Sequence, residues 1–147
     1  MSKVTAYYHI VFCTKERRMT IPLLMRDDVY RFIWKQVADL KCGLIRIGGI
    51  QNHIHLFINL HPSVALATLT QNIKSRSSGW MKSDSRFPNF SGWAAEYYAC
   101  TLAPEGKRNL MEYIKNQETH HLGVALDEEL INMCRYSDIE YDERDMR

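Results

Sequence analysis

Residues 48–60 read GGIQNHIHLFINL, and the fold follows from how they are parsed. The glycine pair Gly48-Gly49 predicts a bend into a strand running through IQNHIHLFINL. Strand side chains alternate between faces, so Asn52, Ile54, Leu56, Ile58 and Leu60 share one side. That set is apolar except for Asn52 and predicts a face packed on helices. Gln51, His53, His55, Phe57 and Asn59 take the other side. The two imidazoles then project together, about 6.6–7 Å apart along the strand.

Working outward toward the N-terminus, VTAYYHIVFC (4–13) is β-branched and aromatic and reads as a first strand. TKERRMTIP makes a loop. Val29, Phe32, Ile33, Val37 and Leu40 recur at helical spacing over Asp27–Leu40, with an aspartate to cap the start. Cys42-Gly43 ends that helix and LIRI (44–47) is a second strand. In the other direction, His61-Pro62-Ser63 stops the third strand and offers Ser63 as an N-cap. A second helix carries Leu66, Leu69, Ile73 and Trp80 on one stripe, and AAEYYACTL (94–102) reads as a fourth strand. Pro104 opens a helix to about His120 with Leu110, Met111 and Ile114 as its buried edge. A short helix over Asp127–Cys134 buries Leu130, Ile131 and Cys134, and a polar tail follows.

The order β-α-β-β-α-β predicts an α+β, ferredoxin-like (RRM-like) split arrangement: an antiparallel sheet with the two main helices on one face, plus C-terminal helices. The other face is expected to stay open and to carry the site. At 147 residues the chain is expected to form one domain, with a core over about 1–122 and a C-terminal helix and acidic tail over about 123–147. A composition of 46% apolar and 24% charged residues excludes a disordered tail protein or a disulfide miniprotein. No apolar run approaches the roughly 18 residues of a membrane span, and the start reads as neither signal nor transit peptide. The four dispersed cysteines read as reduced thiols, so a cytoplasmic location is expected. The net charge of +2 hides an asymmetry: residues 127–147 hold 3 Lys+Arg against 8 Asp+Glu, leaving a basic body. Such a body suits a polyanionic partner.

His53 and His55 can share one divalent ion, but two ligands are too few. His9, His61, His120, His121 and the carboxylates are all candidates for a third, and spacing does not choose among them. In LMEYIKNQETHH, Tyr113 and Gln117 stand at i and i+4 on one helical face. A tyrosine there can act as a nucleophile if its phenolate is stabilised, and a carboxamide oxygen can serve a hard cation.

These motifs, with YYHIVFCTKERR near the start, IKSRSSGWM in the second helix and IEYDER in the tail, resemble the small single-tyrosine transposases of the HUH superfamily and their REP-associated chromosomal relatives. The resemblance runs the length of the chain. It implies that His53, His55 and Gln117 hold one Mg²⁺ or Mn²⁺. It further implies that Tyr113 attacks a phosphodiester of single-stranded DNA at hairpin-bearing ends, forming a 5′-phosphotyrosine and freeing a 3′-OH. Homodimers with active sites shared between subunits are implied as well, in a bacterial, nucleoid-associated setting. Lys15, Arg17, Arg18, Lys74, Arg76 and Lys82 are the expected DNA contacts, and Trp80, Trp93, Tyr97 and Tyr98 could stack on unpaired bases. Some members carry Asp where this chain has Asn52, a position expected on the core side and away from the metal. The rival readings are a domesticated copy that processes REP palindromes, a non-catalytic module for single-stranded or hairpin nucleic acid, and a metal-dependent hydrolase in which water attacks.

Overall fold

The computed structural model describes residues 2–147. Its sheet has four antiparallel strands, β1 (Tyr7–Cys13), β2 (Gly43–Ile50), β3 (His53–Asn59) and β4 (Tyr98–Thr101), in the order β2-β3-β1-β4. That is the expected ferredoxin-like order. Helices α1 (Arg26–Asp39) and α2 (Leu66–Ser83) lie on one face. Their Val29, Ile33, Val37, Leu69 and Ile73 close over Ile10 and Phe12 of β1 and over Ile54, Leu56 and Ile58 of β3. Period-two alternation therefore delivers the apolar side of β3 to the helices, as the sequence predicts.

The opposite face is not open. Three helices follow β4: α3 (Lys107–Lys115), α4 (Gln117–His120) and α5 (Leu126–Tyr136). Leu126, Leu130, Met133 and Cys134 of α5 pack on Val11, Cys13 and Tyr98 and form a second core. The reason is visible in β1, whose alternate residues Val11 and Cys13 are themselves apolar and must be covered. His53 and His55 are consequently fully buried rather than displayed to solvent.

Gly48 and Gly49 do not bend the chain; β2 runs through both, and the turn falls at Gln51-Asn52. Here glycine serves close approach. A Cβ on Gly48 would lie 2.6 Å from the carbonyl oxygen of Ile114, so α3 rests its backbone directly on the strand. The fourth strand is also shorter than expected, and the helix after Pro104 breaks at Asn116 (φ −96°, ψ 18°) into α3 and α4.

Candidate active site

β3 carries His53 and His55 toward the C-terminal helices, and β1 sets His9 beside His55, their facing nitrogens 2.8 Å apart. From above, α3 brings Tyr113, whose ring lies 5.5 Å from that of His55. α4 brings Gln117 and His120, with His121 just beyond its end. All of them converge on a residue that the sequence did not single out, Glu129 of α5. One carboxylate oxygen, Oε1, lies 3.2 Å from His53 Nε2, 3.4 Å from His55 Nε2 and 2.9 Å from His121 Nε2. The other, Oε2, accepts hydrogen bonds from the Tyr113 hydroxyl and, at 2.9 Å, from Gln117 Nε2. It also faces His120 Nε2 at 3.2 Å. Gln117 Oε1 is 2.9 Å from His53 Nε2.

The structure thus brings Tyr113, His53, His55 and Gln117 into one cluster within a single chain. Helix spacing alone could have flagged Glu129: it occupies the i+3 place in Leu126, Glu129, Leu130, Met133, an i, i+3, i+4, i+7 series that is otherwise apolar. A carboxylate inside such a stripe needs partners, because an unpaired buried charge is costly. Asn52 departs from expectation too. As a turn residue it faces the site, and its Oδ1 accepts a hydrogen bond from His53 Nδ1 at 2.8 Å. Its own amide is held by donation to the Arg17 carbonyl. Fixing Nδ1 as the donor leaves the Nε2 lone pair free to bind an ion.

Burial drives His55 down to about 4, against the opposing pull of Glu129, which keeps the ring neutral and able to ligate. Burial alone would raise the Glu129 carboxyl, yet the imidazoles of His121, His53 and His55 around it outweigh that and hold it ionised. Tyr113 goes the other way: burial, and then the negative charge of Glu129, push its phenol above the usual value near 10. Left alone with Glu129 it stays a phenol. A cation in the cluster would oppose that bias, and Oε2 is the acceptor of the phenol's hydrogen bond. The donors suit such an ion, since three imidazoles, a carboxylate and an amide oxygen meet there. One of them, His55 Nε2, is buried without any hydrogen-bond partner. His53, His55 and Glu129 form one set able to hold a metal ion, and His120, His121 and Glu129 form a second.

Beside Tyr113 and Glu129 lies a mainly apolar cavity of about 390 Å³, lined in part by Leu102, Leu110, Met133 and Tyr136. The basic residues separate into groups. Lys15, Lys74 and Lys82, with Arg147, line one groove between α2 and the Ser91–Ala95 segment. Lys15 follows β1 directly, and its N–H donates to Gly92 O. The groove therefore adjoins the sheet end at which Cys13 pairs with His53. Arg76 sits in a neighbouring depression on α2, and Arg18 is exposed in the loop after β1. Arg17 is committed elsewhere. It is buried, and its guanidinium binds Asp127, Tyr141 and the carbonyls of Asp145 and Met146, tying the C-terminal segment to the loop after β1. Trp93 and Tyr98 are buried, while Trp80 stacks on Phe32. His61 lies beyond β3 and accepts a hydrogen bond from the Ser63 N–H.

Residues 2–117 match the family described as IS200-like transposases. The chain belongs to that family. The match takes in both histidines, Tyr113 and Gln117 and ends before His121 and Glu129. No curated protein matches this family member closely. Among solved structures, a "putative transposase" from Deinococcus radiodurans R1 is 20% identical, with a TM-score of 0.62 over 79% of this chain and 93% of the other. A REP-associated tyrosine transposase bound to a REP hairpin is 14% identical, with a TM-score of 0.65 over 84% of this chain and 76% of that one. At such identities the likeness establishes the shared fold. Among the described residues, no helix of this transposase is long and apolar enough to cross a membrane.

Proposed function

We propose that this transposase is a single-tyrosine HUH enzyme that cleaves and rejoins single-stranded DNA at hairpin-bearing ends. One observation carries the reading: the Tyr113 hydroxyl and the His53 and His55 imidazoles all face the two oxygens of one buried carboxylate. Nucleophile and ion-binding groups are then within one phosphate's reach of each other.

In this reading His53, His55 and Gln117 hold Mg²⁺ or Mn²⁺, which would polarise the scissile phosphate and offset charge developing on it. Tyr113 Oη attacks phosphorus in line as the bond from phosphorus to the 3′-oxygen breaks. The phenolic proton passes to Glu129 Oε2 and is returned to the departing 3′-oxygen. The products are a 5′-phosphotyrosine and a 3′-OH, and attack by a 3′-OH reverses the step. No water or nucleotide is consumed. The cavity beside Tyr113 is suited to an unstacked base next to the cleaved bond. Lys15, Lys74 and Lys82 in their groove, with Arg18 and Arg76 flanking it, are the proposed contacts to the DNA backbone. Arg17 is omitted because its donors are taken.

The resemblance implies a homodimer with shared sites. Here one chain supplies the complete set, so we read Tyr113 as acting on its own chain's histidine pair whether or not subunits associate. The test is incubation with Mn²⁺ and an end-labelled hairpin-bearing single strand. A covalent protein–DNA adduct is expected, and Tyr113→Phe abolishes it. Binding without an adduct, equally tight in His53→Ala and Tyr113→Phe, would support the non-catalytic module. A free 5′-phosphate without an adduct would support hydrolysis by water.

A further inference from the structure

We propose that the C-terminal segment completes the metal's coordination shell. His121 Nε2 and Glu129 Oε1 are ligands in their own right alongside His53, His55 and Gln117, and the set selects a first-row transition ion over Mg²⁺. This rests on reading the cluster as the metal centre and extends it by two residues beyond the family-matched span.

His53 Nδ1 donates to Asn52 Oδ1, so its Nε2 carries the lone pair in the neutral ring. His121 Nδ1 lies 2.8 Å from the Val124 carbonyl, which can only accept, so its Nε2 likewise carries the lone pair. Gln117 Nε2 donates to Glu129 Oε2, which turns Gln117 Oε1 toward both imidazoles, 2.9 Å from His53 Nε2 and 3.0 Å from His121 Nε2. Glu129 Oε1 is 3.2 Å and 2.9 Å from the same two nitrogens. Two imidazole lone pairs, an amide oxygen and a carboxylate oxygen therefore face one another with no proton assigned among them. The orphaned Nε2 of His55, 3.4 Å from the same carboxylate oxygen, joins them.

Acceptors that converge in a dry interior repel unless a cation lies between them. The spacing fits one. Metal–nitrogen and metal–oxygen bonds of about 2.0–2.2 Å put neighbouring ligand atoms about 2.9 Å apart in octahedral and about 3.4 Å apart in tetrahedral coordination. The separations of Glu129 Oε1 and Gln117 Oε1 from these nitrogens run from 2.9 to 3.4 Å, and Glu129 is the group common to the His53–His55 pair and to His121. Three imidazoles are a poor shell for Mg²⁺, which prefers oxygen ligands, and a good one for Mn²⁺, Co²⁺ or Zn²⁺. Each outer nitrogen is also anchored, His53 by Asn52 and His121 by the Val124 carbonyl, as ligating histidines require.

The test is metal binding to the chelator-stripped full chain, read without DNA. Co²⁺ is expected to give the visible absorption of a nitrogen-rich site, and X-ray absorption on the same wild-type sample to count three imidazoles per metal. Glu129→Gln and His121→Ala, checked for native melting, are each expected to weaken Co²⁺ and Mn²⁺ binding at least tenfold and to shift the Co²⁺ spectrum. Mg²⁺ at equal concentration should fail to displace Co²⁺. Two imidazoles per metal in the wild type, or unchanged affinity and spectrum in both variants, overturns the five-donor site while leaving His53, His55 and Gln117 in place. Unchanged binding in His53→Ala and His55→Ala would instead sink the metal-centre reading itself.

Discussion

Gly48→Ala tests whether the placement of α3, rather than any group on it, sets the chemistry. The substitution adds one methyl group on β2, on the sheet face that α3 covers. That methyl would sit 2.6 Å from the Ile114 carbonyl oxygen and 3.0 Å from Ile114 Cγ2, where ordinary contact begins at 3.4 Å. Helix α3 must lift by about 0.8 Å or β2 must give way by as much, an overpacking that costs about 1–3 kcal/mol. Ile114 adjoins Tyr113, so the lift carries the phenol off the cluster. A misplacement of about 1 Å can cost on the order of 100-fold in rate. The assay is the initial rate of covalent adduct formation at saturating Mn²⁺ and DNA, beside thermal unfolding of the same preparation. The expected result is a rate lowered roughly 30- to 100-fold in a protein that still melts cooperatively. A rate within twofold of wild type would refute the claim that α3 seats directly on Gly48 to aim Tyr113.

Replacing Lys15 or Lys82 by Gln is expected to weaken binding of single-stranded DNA and to flatten the dependence of log Kd on log salt by about 0.7 per lysine; titrations at three or more salt concentrations check this. Burial pushes the Tyr30 phenol up to about 12, so the unfolded chain ionises first as the pH rises past 10. Stability from this group is complete below pH 10 and is lost between pH 10 and 12, amounting to about 2–3 kcal/mol. Urea unfolding across that window should show a steeper decline in the wild type than in Tyr30→Phe. Mixing His53→Ala with Tyr113→Phe protein should not restore adduct formation, because each chain would use its own tyrosine; recovery of activity would establish sharing between subunits.

The strand carrying His53 and His55 was legible because a period of two leaves only one way to bury Ile54, Leu56 and Ile58. Tyr113 and Gln117 were legible as neighbours for the parallel reason on a helix. Gly48-Gly49 was ambiguous in principle, since the missing Cβ serves a bend and a close approach equally well, and only the position of Ile114 distinguishes them. The covering of the second face was harder still. Sequence shows that α5 has an apolar stripe, but which surface that stripe meets depends on a contact between Leu130 and a strand more than a hundred residues earlier. Once that contact is missed, Glu129 stands out only as a charge interrupting the stripe, with no partners in view. The basic residues show the same limit: Arg17 and Lys15 are two positions apart, yet one clamps the C-terminal segment and the other lines a groove.

The most direct test of a phenol acting at the imidazole cluster is peptide mapping of the trapped adduct. Wild-type protein is incubated with Mn²⁺ and a hairpin-bearing strand, digested with protease and nuclease, and the modified peptide sequenced by mass spectrometry. The account predicts a nucleotide joined through its 5′-phosphate to Tyr113 and to no other of the eight tyrosines. Attachment at a different residue, or cleaved DNA with no protein-linked nucleotide, would contradict it.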